Sequence, residues 1–177
     1  MNKNLNQDTD ITELVENTIR QAFRMMREGE SQNKVLAYLI GVAESIAGDD
    51  SACSILVLDK EGLLRNGCSP KLPADYLQAI DGLKPDPELG TCASAAATGS
   101  MVITRDFKSD DKWAELRHLP LALGYAGAWS MPIKNAEGKV LGTFGTYYHD
   151  QREPSPEEVK AVRELAAMAA EVVGSSS

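Results

Sequence analysis

Two stretches with the same punctuation constrain the fold more than anything else in the chain. "SACSILVLD" (51–59) and "LLRNGCS" (63–69) flank "KEG", while "AGAWSMPIK" (126–134) and "KVLGTFGTYYH" (139–149) flank "NAEG". The first run is rich in strand-forming residues, "LLRNGCS" runs back from its turn, and the later pair forms a similar unit. Each pair turns on a loop of the form Asp/Asn-x-Glu-Gly: Asp59-Lys60-Glu61-Gly62 and Asn135-Ala136-Glu137-Gly138. The glycine supplies the positive φ that such a hairpin loop needs. Two hairpins commit the sheet to antiparallel pairing. The shared loop is common turn chemistry and not an internal repeat.

Helical patterns surround the hairpins. Residues 1–9 are polar and are expected to fray; from Asp10, the apolar residues Ile11, Leu14, Val15, Ile19, Ala22, Phe23 and Met26 recur at helical spacing. Asp10 and Glu13 have the spacing of a capping box. "REGES" (27–31) breaks that helix, and a second carries Val35, Leu36, Leu39, Ile40, Ala43 and Ile46 on one face, ending at Gly48. Between the hairpins come a short helix (73–82), a proline-rich loop, a helix over "TCASAAAT" with Thr91 at its N-cap and Gly99 at its stop, a short strand (101–106), and a helical stretch (110–124) interrupted by Pro120. "SPEEVKAVRELAAMAAEVVG" closes the chain, with Ser155 as N-cap and Pro156 at the first helical position. The order α-α-β-β-α-α-β-α-β-β-α predicts an α+β fold with helices packed on an antiparallel sheet.

Composition narrows the function. The chain has 177 residues, is 43% hydrophobic and 25% charged, and carries a net charge of −8, so a single domain with a real core is expected. The acidic balance argues against nucleic acid, and Arg20, Arg24 and Arg27 are diluted by Glu13, Glu16, Glu28 and Glu30. No apolar run reaches the ~18–20 residues of a membrane span, and the N-terminus has no signal-peptide pattern. Three separated cysteines, Cys53, Cys68 and Cys92, fit a reducing cytoplasm. Two distant histidines, His118 and His149, give no metal site.

The ordered series "ELGTCASAAATGS", "MPIKNAEGKVLGTF" and "PSPEEVKAVRELAAMAAEVV", together with the first hairpin, resembles a GAF domain over about residues 32–173. The resemblance implies a six-stranded antiparallel sheet, GAF/PAS-like, with the terminal helices on one face and a ligand pocket on the other, roofed by short helices and loops. It divides the chain into an N-terminal signalling or dimerisation helix (1–30), the GAF domain (31–174) and a disordered tail (175–177). It implies a small-molecule sensor of bacterial-type signalling, dimeric through its terminal helices and acting on a signalling partner or output domain.

"GTCASAAATGS" (90–100) is the stretch where a ligand is expected. A helix start leaves backbone N–H groups unpaired and partially positive, and the small residues at Thr91, Cys92, Ala93 and Ser94 would let a ligand, an anion among the candidates, come close. Equally, small residues allow a helix to pack closely on a sheet. Trp113, Tyr125, Trp129 and Met131 complete the candidate set. Strand alternation puts Trp129 and Met131 on one side, and Ala128, Ser130 and Pro132 on the other, without saying which lines the pocket. Arg65, Arg105, Arg117 and His118 are further sources of charge, each read first as a surface residue.

No catalytic residue is assigned, and the cofactor is left unknown. No cysteine is followed by histidine, as covalent bilin attachment in this family would need, and nothing singles out an axial haem ligand. The enzyme alternative is a relative of free methionine sulfoxide reductase, suggested by "GTC" at 90–92 with Cys68 as second thiol. The loop that carries the catalytic cysteine of that family reads "DFKSDDKWAEL" here and has none. A ligand-free dimerisation module is the remaining alternative.

Overall fold

The two hairpin loops close in the same way in the computed structural model, which describes residues 3–175. Strand β1 (Ala52–Leu58) turns into β2 (Leu64–Cys68), and β4 (Gly127–Lys134) turns into β5 (Val140–Tyr148). Asp59 Oδ1 accepts from the backbone N–H of Glu61 and of Leu63, both at 2.9 Å. Asn135 Oδ1 accepts in the same way from Glu137 and Lys139, at 3.0 and 2.9 Å. Gly62 and Gly138 follow at φ 80° and 82°. The first loop residue therefore needs a side-chain carbonyl oxygen, which Asp and Asn share, and the last needs no Cβ.

The helices are α1 (Lys3–Arg27), α2 (Gln32–Ala47), α3 (Ala74–Ile80), α4 (Cys92–Thr98), α5 (His118–Ala122) and α6 (Pro156–Gly174), with a single 3-10 turn over Asp111–Trp113. With β3 (Val102–Thr104), the sheet has five strands in the order β2-β1-β5-β4-β3, every pair antiparallel. The sixth strand implied by the family resemblance is absent among the described residues. The count read from the residues themselves, two hairpins and one short strand, is the one observed.

The start of α1 also differs from expectation. The helix runs from Lys3 and not from Asp10, so the Asp10–Glu13 pair lies inside it and caps nothing. Residues 3–9 contain no Gly or Pro, and extending an existing helix through such residues costs little. Of the expected tail, Ser175 follows α6 and the last two residues lie outside the described ones. The cap of α6 is as read: Ser155 Oγ accepts from Glu158 N at 3.1 Å, with Pro156 in the first turn. Pro120 lies within α5, close enough to its start that the missing N–H costs no hydrogen bond.

The core has two layers, one on each face of the sheet. On one face α1, α2 and α6 bury Val15, Ala22, Leu36, Leu39, Leu165 and Ala169 against Ile55, Trp129, Met131 and Phe144. Val15 and Ala22 are almost fully buried, so α1 shares the domain's core and is not a free-standing arm. On the other face, Leu56, Leu64, Tyr76, Phe107, Trp113 and Tyr147 form the second layer under α3, α4 and the connecting segments. No helix among the described residues is long and apolar enough to cross a membrane.

Candidate functional site

Helix α4 lies across the middle of the sheet because the strands beneath it are nearly bare. Ser54 of β1, Gly145 of β5 and Ser130 of β4 stand in one row of the ladder. A Cβ on Gly145 would lie 3.1 Å from Cys92 Sγ, so the thiol occupies the space this glycine leaves. The buried hydroxyls of Ser130 and Thr143 flank the sulfur and have no other hydrogen-bond partner among the described residues. Burial pushes the Cys92 thiol up, opposed in part by these hydroxyls. The thiol therefore stays protonated at neutral pH and is no nucleophile. Cys53, on the opposite face, is pushed up to about 12, chiefly by burial.

A strap formed by residues 110–124 covers the start of α4. Trp113 Nε1 donates to Thr91 Oγ1 at 2.8 Å, and Thr91 Oγ1 lies 2.9 Å from Thr104 Oγ1. Gly90 N donates to Lys112 O at 2.7 Å. Gly90 has φ +66°, and a Cβ there would meet the indole at 3.7 Å. The glycine supplies the backbone conformation that lays the indole flat on the chain. Thr91 is therefore not the side-chain cap its position suggests. Its backbone is helical, it makes no capping bond, and its hydroxyl belongs to the tryptophan.

Tyr76 of α3 and Tyr147 of β5 join hydroxyls at 2.8 Å, their rings edge-on with centroids 5.9 Å apart. Between these tyrosines, the indole and the α4 start lies a small, partly open cavity of about 20 Å³. Its wall is completed by Leu56, Ile80, Leu83, Leu89 and Leu116. Burial pushes the Tyr76 and Tyr147 hydroxyls well up, so both remain neutral. Larger hollows, of about 240 and 510 Å³ around α1 and α6 and about 1170 Å³ beside the hairpin loops, lie away from this face.

Of the residues expected to form the site, the cavity brings together Thr91, Cys92, Ala93 and Trp113. Ser94 turns aside and donates to Pro87 O at 3.0 Å. Tyr125 is in the same layer but stacks on His149, with centroids 4.5 Å apart. Trp129 and Met131 belong to the opposite layer, under the terminal helices. The alternation along β4 was legible, but its direction was not: Trp129 Nε1 donates to Glu158 Oε2 at 3.2 Å, which ties the indole to α6. Tyr148 OH donates to the same carboxylate. Arg65 pairs with Asp59 and Asp81 at 2.9 and 2.8 Å, and Arg117 is held by backbone carbonyls of the strap, so neither brings charge to the cavity.

Sequence reasoning did not find Tyr76, Tyr147 or the wall leucines. Tyr147 carried a signal, since alternation along β5 puts it on the side of Thr143 and Gly145. Tyr76 carried none, because nothing in sequence links it to a partner 71 positions away. No group of three or more His, Cys, Asp or Glu among the described residues is placed to hold a metal ion.

The GAF domain family model matches residues 29–173 of this chain. A methyl sulfide methyltransferase-associated sensor from Methanosarcina acetivorans is 33% identical over 142 residues, which is 80% of this chain and 14% of that protein. The chain thus spans about a seventh of that relative's length. The GAF domain of a phosphoenolpyruvate-protein phosphotransferase from Coxiella burnetii superposes with a TM-score of 0.72 at 16% identity, covering 92% of this chain and 94% of that one. Free methionine-R-sulfoxide reductase from Neisseria meningitidis, solved with its substrate, gives a TM-score of 0.73 at 14% identity, covering 96% and 92%. At these identities the two structures speak for the fold alone.

Proposed function

The chain belongs to the GAF domain family, and from that premise we propose that it is a non-catalytic sensory domain: a small molecule binds under the α3–α4 roof, and the terminal helices pass its effect to a signalling partner or output domain. The cavity at the α4 start, on the sheet face opposite those helices, carries the reading. A relative named as a sensor supports it. The inertness of the thiols counts against the reductase alternative: Cys92 is protonated, with its sulfur held between α4 and the sheet, Cys53 lies on the other face, and the strap residues that line the cavity are Trp113 and Leu116. Leu14 and Phe23, exposed large apolar side chains among the described residues of α1, support contact with a second copy.

The small size of the cavity favours a second reading, a ligand-free dimerisation module, because large side chains already fill most of the space. A thermal-shift panel of small anions, neutral solutes, cyclic nucleotides and methionine sulfoxide separates the two. A ligand at ~100-fold its Kd stabilises the fold by about 2.7 kcal/mol. A saturable shift that Ala93→Trp removes is the expected result. A flat panel with a concentration-dependent dimer supports the module instead.

A further inference from the structure

We propose that the cavity at the α4 start takes a neutral, apolar ligand of a few heavy atoms, and not the anion that a helix start suggests. The inference rests on the sensory reading above and narrows its ligand.

The wall decides the chemistry. Aliphatic side chains (Leu56, Ile80, Leu83, Leu89 and Leu116) and aromatic rings supply its contact surface. Almost no polar surface faces it, and the polar side chains around it pair with one another. The tyrosine hydroxyls bond each other, and the indole N–H is held by Thr91, whose hydroxyl also meets Thr104. The thiol of Cys92 is directed at Ser130 and Thr143 and stays neutral. No cationic side chain lines the cavity. Of the cations around it, Arg65 is engaged with Asp59 and Asp81, Lys112 with Asp110 at 3.1 Å, and Arg117 with the strap's carbonyls, while Lys84, next to Leu83, is exposed and is not part of the wall. An anion placed here would lose its hydration and meet no counter-charge, a penalty of several kcal/mol. Water fits by volume, since ~10–15 Å³ holds one molecule, but it needs two to four polar partners. An apolar guest gives up nothing on entering and fills space that otherwise lacks contacts.

The roof is also the part that can yield. Leu83, Leu89 and Leu116 sit on connecting segments and not on the sheet. The loop bearing the first two is tied to β2 by two backbone bonds, Leu64 N to Leu83 O and Gly82 N to Leu64 O, each 2.9 Å. Asp86 N reaches Ala93 O at 3.1 Å. The floor strands β1, β5 and β4 are each paired on both sides. A guest larger than the resting cavity is accommodated by outward movement of these leucines and of Trp113, because segments with few bonds open at lower cost than a central strand.

Methyl-resolved NMR of the full chain tests this, with xenon and dichloromethane as neutral probes and nitrate and acetate as anions at matched concentration. Saturable shifts of the Leu83, Leu89 and Leu116 methyls with the neutral probes, a change in Trp113 fluorescence, and no response to the anions are expected. Ala93→Val, which fills the cavity, should abolish the shifts. Leu116→Ala, which enlarges it, should tighten dichloromethane binding and covers the case in which the first variant does not fold. Saturable shifts with nitrate or acetate alone would overturn the apolar class while leaving the sensory reading in place. Neutral-probe shifts that survive Ala93→Val in a folded protein would place the guest elsewhere and overturn the assignment. No response at any wall methyl to either class would overturn both readings.

Discussion

Removing the Glu158 carboxylate should cost more stability than any other single side-chain change in the first turn of α6. Glu158 is in the first turn of that helix, where an acidic residue is ordinarily a solvated partner of the helix dipole. Here it is only 6% exposed and accepts from Trp129 Nε1 and Tyr148 OH, both on the sheet. Glu158→Ala leaves two buried donors unpaired, at ~1–3 kcal/mol each. Relief from burying a carboxylate offsets part of this, so a net loss of about 3 kcal/mol is expected. For a domain of this size that lowers Tm by ~6–12 °C. The cap bond from Ser155 goes to the backbone of Glu158 and survives the change. Glu158→Gln keeps a carbonyl acceptor and should cost less than half as much. Urea unfolding gives the comparison, with an unchanged m-value confirming that only stability has moved. In a Tyr148→Phe background one of the two donors is gone, so Glu158→Ala should cost about 1 kcal/mol less. An alanine variant within ~0.5 kcal/mol of the parent, or a glutamine variant as damaged as the alanine one, would refute the network.

Gly145→Ala places a Cβ 3.1 Å from Cys92 Sγ and should destabilise by about 1–3 kcal/mol; Cys92→Ala removes the sulfur, so the double variant should recover most of the loss in the same urea assay. Asp59 is held below the usual carboxylate range by the Leu63 backbone N–H and by Arg65. Its contribution is therefore present above the unfolded value of ~3.9 and fades as pH falls through the lower folded value. Asp59→Asn retains the loop oxygen, as Asn135 does in the second hairpin, so the variant should keep its fold and lose that part of the acid-side decline; urea midpoints from about pH 6 downward report the difference.

The hairpins were legible because their signal is local. Alternation marks the strands, and the Asp/Asn-x-Glu-Gly loop needs only its own atoms to close. The same holds for Ser155 and for Gly99, which ends α4 at φ 68°. Sequence failed where a tertiary partner took over a residue's local role. Thr91 looked like a cap, but the Trp113 indole claims its hydroxyl. Glu158 has the first-turn position of a helix-dipole partner and is a buried acceptor. Trp129 looked like a pocket aromatic, because alternation divides a strand into two faces without saying which face is roofed. That assignment depends on α6 returning to the sheet, a contact made across 29 residues.

The two faces meet at consecutive residues of β5. Tyr147 bonds Tyr76 on the roofed side, and Tyr148 bonds Glu158 on the helical side. A rigid strand with neighbours on both edges moves as a unit, so a displacement large enough to part the first pair bears directly on the second. The roof, by contrast, absorbs small displacements in its loops. A ligand that only fills the resting cavity should therefore stabilise the domain without shifting α6, because its contacts do not depend on where that helix sits. A ligand that forces Tyr147 aside distinguishes the helix positions. On the sensory reading proposed above, ligand size, and not affinity, decides whether occupancy reaches the terminal helices, and a series of neutral guests of rising bulk should show stabilisation first and a change at α6 only beyond a threshold.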